Sequence, residues 1–188
     1  MTTTAPAPTS ALVPTGTWAV DPTHSTAGFG VKHMGIANVR GEFTDFEGTL
    51  EIGDDISAAQ VRGSVKVTSV DTGDEGRDGH LRSPDFFDVE AHPEMTFAST
   101  SIEAAGADSF RITGDLMLHG ITNELVLNAE VAGTDADPWG NERVGIEITG
   151  QLSREDYGMK FNKALGSGNM LVGDKVKLAL DVSAVRQA

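Results

Sequence analysis

Apolar and polar residues alternate with a period of two along most of this 188-residue chain. That is the spacing of a strand with one face buried. The pattern is cleanest in Phe110, Ile112, Leu116 and Leu118, in Leu125, Leu127, Ala129 and Val131, and in Val144, Ile146, Ile148 and Leu152. It recurs in Val176, Leu178, Leu180 and Val182, and in Val61, Val65 and Val67, which alternate with Arg62, Ser64 and Lys66. Further runs cover Gly16–Val20, Ser25–His33, Asn38–Phe43, Thr49–Ile52 and Met95–Ile102. Within Ser25–His33, Ala27, Phe29 and Val31 share one face, while Gly28 and Gly30 fall on the other. Two side-chain-free positions on one face allow the sharp coiling that barrel closure requires. His119-Gly120 reads as a tight link between two strands. Roughly eight or nine strands joined by short turns, with little helix, predict an antiparallel barrel or sandwich.

Two longer connections, 68–93 and 153–174, break the alternation. In the first, Asp74 is placed to cap a helical turn with Leu81 on its inner side. Ser83-Pro84 reads as a second N-cap with proline at the first helical position and Asp85 in the first turn. Residues 77–88 collect two arginines, a histidine and several acids around Leu81, Phe86 and Phe87. The apolar residues need burial, and the charges resist it unless paired. A cap at the mouth of a barrel meets both demands, with Leu81, Phe86 and Phe87 turned inward and His80 and Arg82 held near the polar end of a ligand.

Composition narrows the classes. The formal net charge is −14, from 28 acids against 14 bases. That balance argues against wrapping a nucleic-acid backbone and against adsorption to anionic lipid. There is no cysteine, which removes thiol catalysis, thiolate-bound zinc and disulfides. No apolar run approaches the ~18 residues of a membrane span. Residues 1–15 carry no charge and no apolar core, so they read as a flexible tail rather than a secretory signal, with the folded domain at 16–188. The expected location is therefore cytoplasmic, or periplasmic or secreted if the sequence is a processed form.

The opening Trp18-x-x-Asp21-x-x-His24-Ser25-x-x-x-Phe29-x-Val31-Lys32-His33-Met34 resembles the start of the YceI-like family, the bacterial polyisoprenoid-binding proteins. Gly41-x-Phe43-x-x-Phe46-x-Gly48 follows in order. Arg77-Asp78-x-His80-Leu81-Arg82-Ser83-x-Asp85-Phe86-Phe87-Asp88 is similar to the family's most distinctive stretch, and His92-Pro93-x-Met95-x-Phe97 comes directly after it. Gly114 to Thr122 resembles a family hairpin, with Met117 where threonine is common, and Arg154-x-Asp156-Tyr157-Gly158 resembles a motif that usually carries phenylalanine. The resemblance runs from about residue 17 to 185. It implies an all-β, antiparallel, lipocalin-like barrel of about eight strands with a short helical cap, and a long apolar cavity for an isoprenoid or other long-chain lipid. Many members carry a signal peptide and act in the periplasm; this chain departs there.

The expected function is a non-enzymatic binding protein that carries an isoprenoid, isoprenoid quinone or fatty-acyl chain inside the barrel, without a cofactor. The residues expected against that ligand are Phe29, Met34, Phe43, Phe46, His80, Leu81, Arg82, Phe86, Phe87, Phe97, Met117, Met159 and Phe161. Aromatics in that number either line a cavity or fill a core, and methionines suit both. Met170 adds to the same flexible apolar set. Lys32, Arg77, His80 and Arg82 are candidates for a phosphate or other head group. Their alternative is local pairing, Arg77 with Asp74 or Asp78 and Arg82 with Asp85. His24 beside Asp21 reads as a structural hydrogen bond. The five histidines form no H-x-H or H-x-x-x-H pair, so no metal is expected. The alternative function is an enzyme acting on a hydrophobic small molecule through His80 and Asp85. A homodimer stays open.

Overall fold

The computed structural model describes residues 12–188. The strands are β1 (Gly16–Val20), β2 (Thr26–His33), β3 (Ala37–Phe43), β4 (Phe46–Ile52), β5 (Gln60–Lys66) and β6 (Val70–Asp71), followed by the helix α1 (Glu75–Arg82). Then come β7 (Glu94–Ala104), β8 (Ser109–Leu118), β9 (Ile121–Ala136), β10 (Glu142–Ser153) and β11 (Val172–Arg186). The pairs β1 and β2, β3 and β4, and β5 and β6 are each one broken strand, because the first member of each pairs with the neighbouring half of the next. Thus β1 pairs with β4 and β2 with β3, while β4 pairs with β5 and β3 with β6. All pairings are antiparallel, and β11 pairs with both β1 and β2, which closes the sheet. The result is a closed barrel of eight antiparallel strands in up-and-down order with one α-helix, as the alternating pattern and the family resemblance imply. Among the described residues, closure leaves only the two-residue β6 with a single strand partner.

Register follows from the apolar face. Phe110, Ile112, Leu116 and Leu118 of β8 are buried, as are Leu125, Leu127, Ala129 and Val131 of β9, and Ile112 stands opposite Leu127. A slip of one residue would turn each set to solvent. Two hairpins carry left-handed residues at both central positions: Met34-Gly35 at φ 58° and 73°, and His119-Gly120 at φ 55° and 72°. Both positions positive is the requirement of a primed turn, whose twist matches that of the strands it joins. Pro22 and the Asp21 cap, which accepts from Thr23 N–H, interrupt the first strand between β1 and β2.

Two sequence expectations change. Ser83 does not start a second helix; its N–H bonds to the His80 carbonyl and it ends α1, and residues 84–87 form turns. Asp74 does cap α1, accepting from the Arg77 N–H. The expected tail divides: residues 1–11 lie outside the described residues, while residues 12–15 pack on the barrel. Val13 is 2 % exposed within the main core, and Pro14 accepts a hydrogen bond from Trp18 Nε1. A valine and a fully buried tryptophan needing an acceptor explain why this stretch docks. Among the described residues no helix is long and apolar enough to cross a membrane.

Candidate functional site

Inward positions along the barrel leave a cavity of about 240 Å³, with a lining that is almost wholly apolar. Side chains from β2, β3, β4, β5, β7, β8, β9, β10 and β11 reach it, among them Ile112, Leu127, Ile148 and Leu180. Val13, Ile52, Ile56 and Ala59 line it at the end where the chain enters β1. Hydrophobic residues generate the space by pairing large with absent side chains. Phe97 leans over Gly114, where a Cβ would stand 2.5 Å from its ring, and Phe29 leans over Gly41, where the distance would be 2.6 Å. Gly48 and Gly63 face each other on β4 and β5, both inward, and a Cβ at Gly63 would meet nothing closer than the Glu47 carbonyl at 3.4 Å. Val20, Thr26 and Gly48 line the cavity beside the break between β1 and β2. Ladder pairing lapses there between Ala19–Thr49 and Ala27–Phe43, and Thr26, Glu47, Thr49 and Arg62 nearby are exposed.

Of the residues expected against the ligand, Phe29, Phe43, Phe46 and Phe97 line this cavity. The others lie elsewhere. Leu81 and Phe87 cover the helix-capped end, where Phe87 packs edge-on against Phe43 with ring centres 5.7 Å apart. Phe86 turns sideways into a cluster with His80 and Phe161, under the buried guanidinium of Arg154 at 5.9 Å. Met159 is buried in the core without reaching the cavity. Met117 takes the outward position between inward Leu116 and Leu118, and Met34 is exposed in its hairpin.

The cap's polar residues hold the cap together. Arg82 Nε donates to the Thr68 carbonyl at 2.9 Å and its Nη2 to the Val70 carbonyl at 3.0 Å, which staples α1 to β6. It pairs neither with Asp85 nor with the cavity. The Arg77 guanidinium donates to Thr72 Oγ1 and the Thr72 carbonyl rather than to Asp74 or Asp78. Buried Asp78 accepts from Thr72 N–H instead. His80 Nε2 and Asp85 Oδ2 do meet, at 2.7 Å, but their side chains are 44 % and 51 % exposed and neither lines the cavity. Substrate inside the barrel would not reach that pair.

Sequence reasoning missed two constellations. Arg154 is 3 % exposed and donates to the Gly173, Met159 and Val172 carbonyls; burial pushes its guanidinium pKa down. It pins the long 158–171 loop beside the cap. The second is Asp88, His92 and His119, whose potential metal-ligand atoms all lie within 4.8 Å of one another. The histidine-to-histidine spacing gives no hint of it; the only local signal is Asp88-x-x-x-His92. On the opposite side of the molecule, Asp21 accepts from Thr23, Arg143 and His24, which hold its carboxyl far below the usual range. Asp137 is lowered to about 2, chiefly by the Asn141 amide and further by Arg143.

A closed eight-stranded barrel with an apolar interior is the architecture that small-ligand carriers share. The chain belongs to the YceI-like family: the model of the YceI-like domain matches residues 18–184. Protein YceI of Escherichia coli O157:H7 is 38 % identical over 165 residues, covering 87 % of this chain and 83 % of that protein. The Campylobacter jejuni YCEI protein superposes with a TM-score of 0.70 at 27 % identity, over 84 % of this chain and 90 % of its own. A polyisoprenoid binding domain from Saccharophagus degradans, implicated in plant cell wall breakdown, superposes with a TM-score of 0.67 at 16 % identity, over 90 % of this chain and 98 % of its own.

Proposed function

We propose that this protein binds one long, slim apolar chain, an isoprenoid or fatty-acyl derivative, inside its barrel and performs no chemistry on it. The observation that carries this reading is the apolar cavity itself, onto which Gly63 opens with no side chain within 4 Å of where its Cβ would stand. About 240 Å³ lies below the ~300–1,000 Å³ of pockets for drug-sized molecules, which favours a thin chain over a fused-ring ligand. Binding draws on burial of the chain at about 25 cal/mol per Å², less the cost of ordering it. The likeness to a domain described as polyisoprenoid binding supports the same ligand class.

In this reading the polar end of the ligand leaves at the β1–β2 break, where the wall lacks ladder pairing. Exposed Glu47 and Arg62 there offer one charge of each sign. Exposed pairs contribute at most ~1 kcal/mol, so chain rather than head group sets affinity. Titrating the protein with a polyprenyl alcohol, the matching phosphate and a short-chain alcohol tests this. The two long ligands should bind within about fivefold of each other, from that ~1 kcal/mol, and the short one far more weakly. Equal binding of short and long chains would remove the proposal.

A further inference from the structure

We infer that Asp88, His92 and His119 form a binding site for a divalent transition-metal ion of the zinc class, outside the ligand cavity. The three residues come from two separate parts of the chain. Asp88 and His92 sit in the loop between α1 and β7, where the Ala91 and His92 N–H groups both donate to the Asp88 carbonyl, at 3.1 and 2.8 Å. This closed turn brings the two side chains together. His119 comes from the β8–β9 hairpin. All three are half-buried, and none lines the cavity.

Four features suit a metal better than an incidental contact. His119 Nδ1 lies 2.8 Å from the Tyr157 carbonyl, which can only accept. Nδ1 therefore carries the proton, and the lone pair of the neutral ring is on Nε2. A backbone carbonyl fixing the tautomer in this way is the usual arrangement behind a metal-bound histidine. Second, the residue after His119 is Gly120, where a Cβ would stand 2.7 Å from His92 Cε1 and 2.9 Å from its Nδ1. Glycine there lets the His92 ring lie over the hairpin. Third, the rings meet edge to face, with centres 4.9 Å apart and planes at 64°, so neither ring covers the face of the other by flat stacking. Fourth, Asp88 has a left-handed φ of 49° and, unlike Met34 and His119, does not sit at the centre of a primed hairpin turn that would require it. Backbone of that kind costs ~1–3 kcal/mol per residue, and it gathers at sites that need it.

Two imidazoles and one carboxylate suit zinc, and also cobalt, nickel or ferrous iron. Three protein ligands leave a position for water or another ligand. An ion held at ~2.0–2.2 Å from each donor would draw the three atoms closer than 4.8 Å, a change within side-chain rotation. It would also fasten the cap loop to the β8–β9 hairpin. The alternative is that the two rings only pack on each other.

The test uses the untagged full chain, dialysed against EDTA and titrated with zinc by calorimetry and with cobalt by visible absorption. The expected result is one ion per chain, d–d bands of a nitrogen- and oxygen-ligated cobalt, and a higher melting temperature with saturating zinc. Asp88→Asn and His119→Asn retain residue types that tolerate left-handed backbone, and circular dichroism confirms that they fold. Each of these, and His92→Gln, should weaken zinc at least about tenfold, while His24→Gln should not. Absence of stoichiometric uptake by the wild type, or uptake that the three variants retain, overturns the inference.

Discussion

Gly63→Val separates a hollow barrel from a packed one. Gly63 is inward on β5, opposite Gly48 on β4 and Phe97 on β7. The Phe97 ring leans away toward Gly114, so the space above Gly63 is free. Its backbone is not left-handed, and a Cβ would make only an ordinary contact, 3.4 Å from the Glu47 carbonyl. The two valine methyls must then project into the cavity. Burying a valine side chain contributes ~1.5–3 kcal/mol, and replacing a strand glycine removes a further ~0.5–1 kcal/mol of entropic cost. Allowing for imperfect fit, the empty protein should gain about 2 kcal/mol, read by urea unfolding. The same methyls exclude two or three chain carbons of the ligand at ~0.8 kcal/mol each, which weakens binding by about 2 kcal/mol, roughly thirtyfold in Kd. Parinaric acid fluorescence reads that loss. Gly28→Val is the contrast, because its Cβ would lie 2.9 Å from the Ala179 carbonyl and should destabilise the fold. If Gly63→Val lowers stability and leaves binding unchanged, the space is not where a ligand sits.

Arg82→Ala should cost about 1–2 kcal/mol of stability, from two lost bonds to carbonyls; alcohol and phosphate ligands should be affected equally, and selective loss of the phosphate would show a head-group role. Val13→Asp should destabilise by about 2 kcal/mol or more, since it forces a carboxylate into a buried valine site at the end of the cavity; a neutral result would mean that residues 12–15 are dispensable. Asp137→Asn tests the acid latch between Asp137, Arg143 and Asp21. The folded pKa of Asp137 is below its ordinary 3.8, at about 2, so its contribution is present above pH 3.8 and lost as pH falls toward 2. The melting temperatures of wild type and variant should therefore differ at neutral pH and converge near pH 2, and a gap unchanged across that range would refute the assignment.

Strand periodicity reveals β8, β9, β10 and β11 because each buries one face and exposes the other, so the pattern has a single reading. The same rule places Phe29, Phe43 and Phe97 inside. It fails for Phe86 and Phe87, which are adjacent in a turn: backbone direction there, not alternation, sends Phe87 to the barrel and Phe86 to Arg154. Arg82 reads as a head-group ligand because its chemistry fits one. Its true partners are the backbone carbonyls of Thr68 and Val70, which no side-chain pattern encodes. Cavity formation hides in Gly41, Gly114 and Gly63, where the informative fact is a missing side chain beside a ring on the neighbouring strand. The meeting of His92 with His119 depends on a hairpin and a loop that only the closed barrel brings together.

The central claim is a hollow barrel that carries an apolar chain, and native mass spectrometry of freshly purified, delipidated and reloaded protein tests it most directly. The account predicts a single bound long-chain species on the purified chain, removed by organic extraction, restored in one-to-one ratio by a polyprenyl alcohol, and diminished in Gly63→Val. A bare wild-type chain that takes up no polyprenyl or fatty-acyl chain on reloading would contradict it.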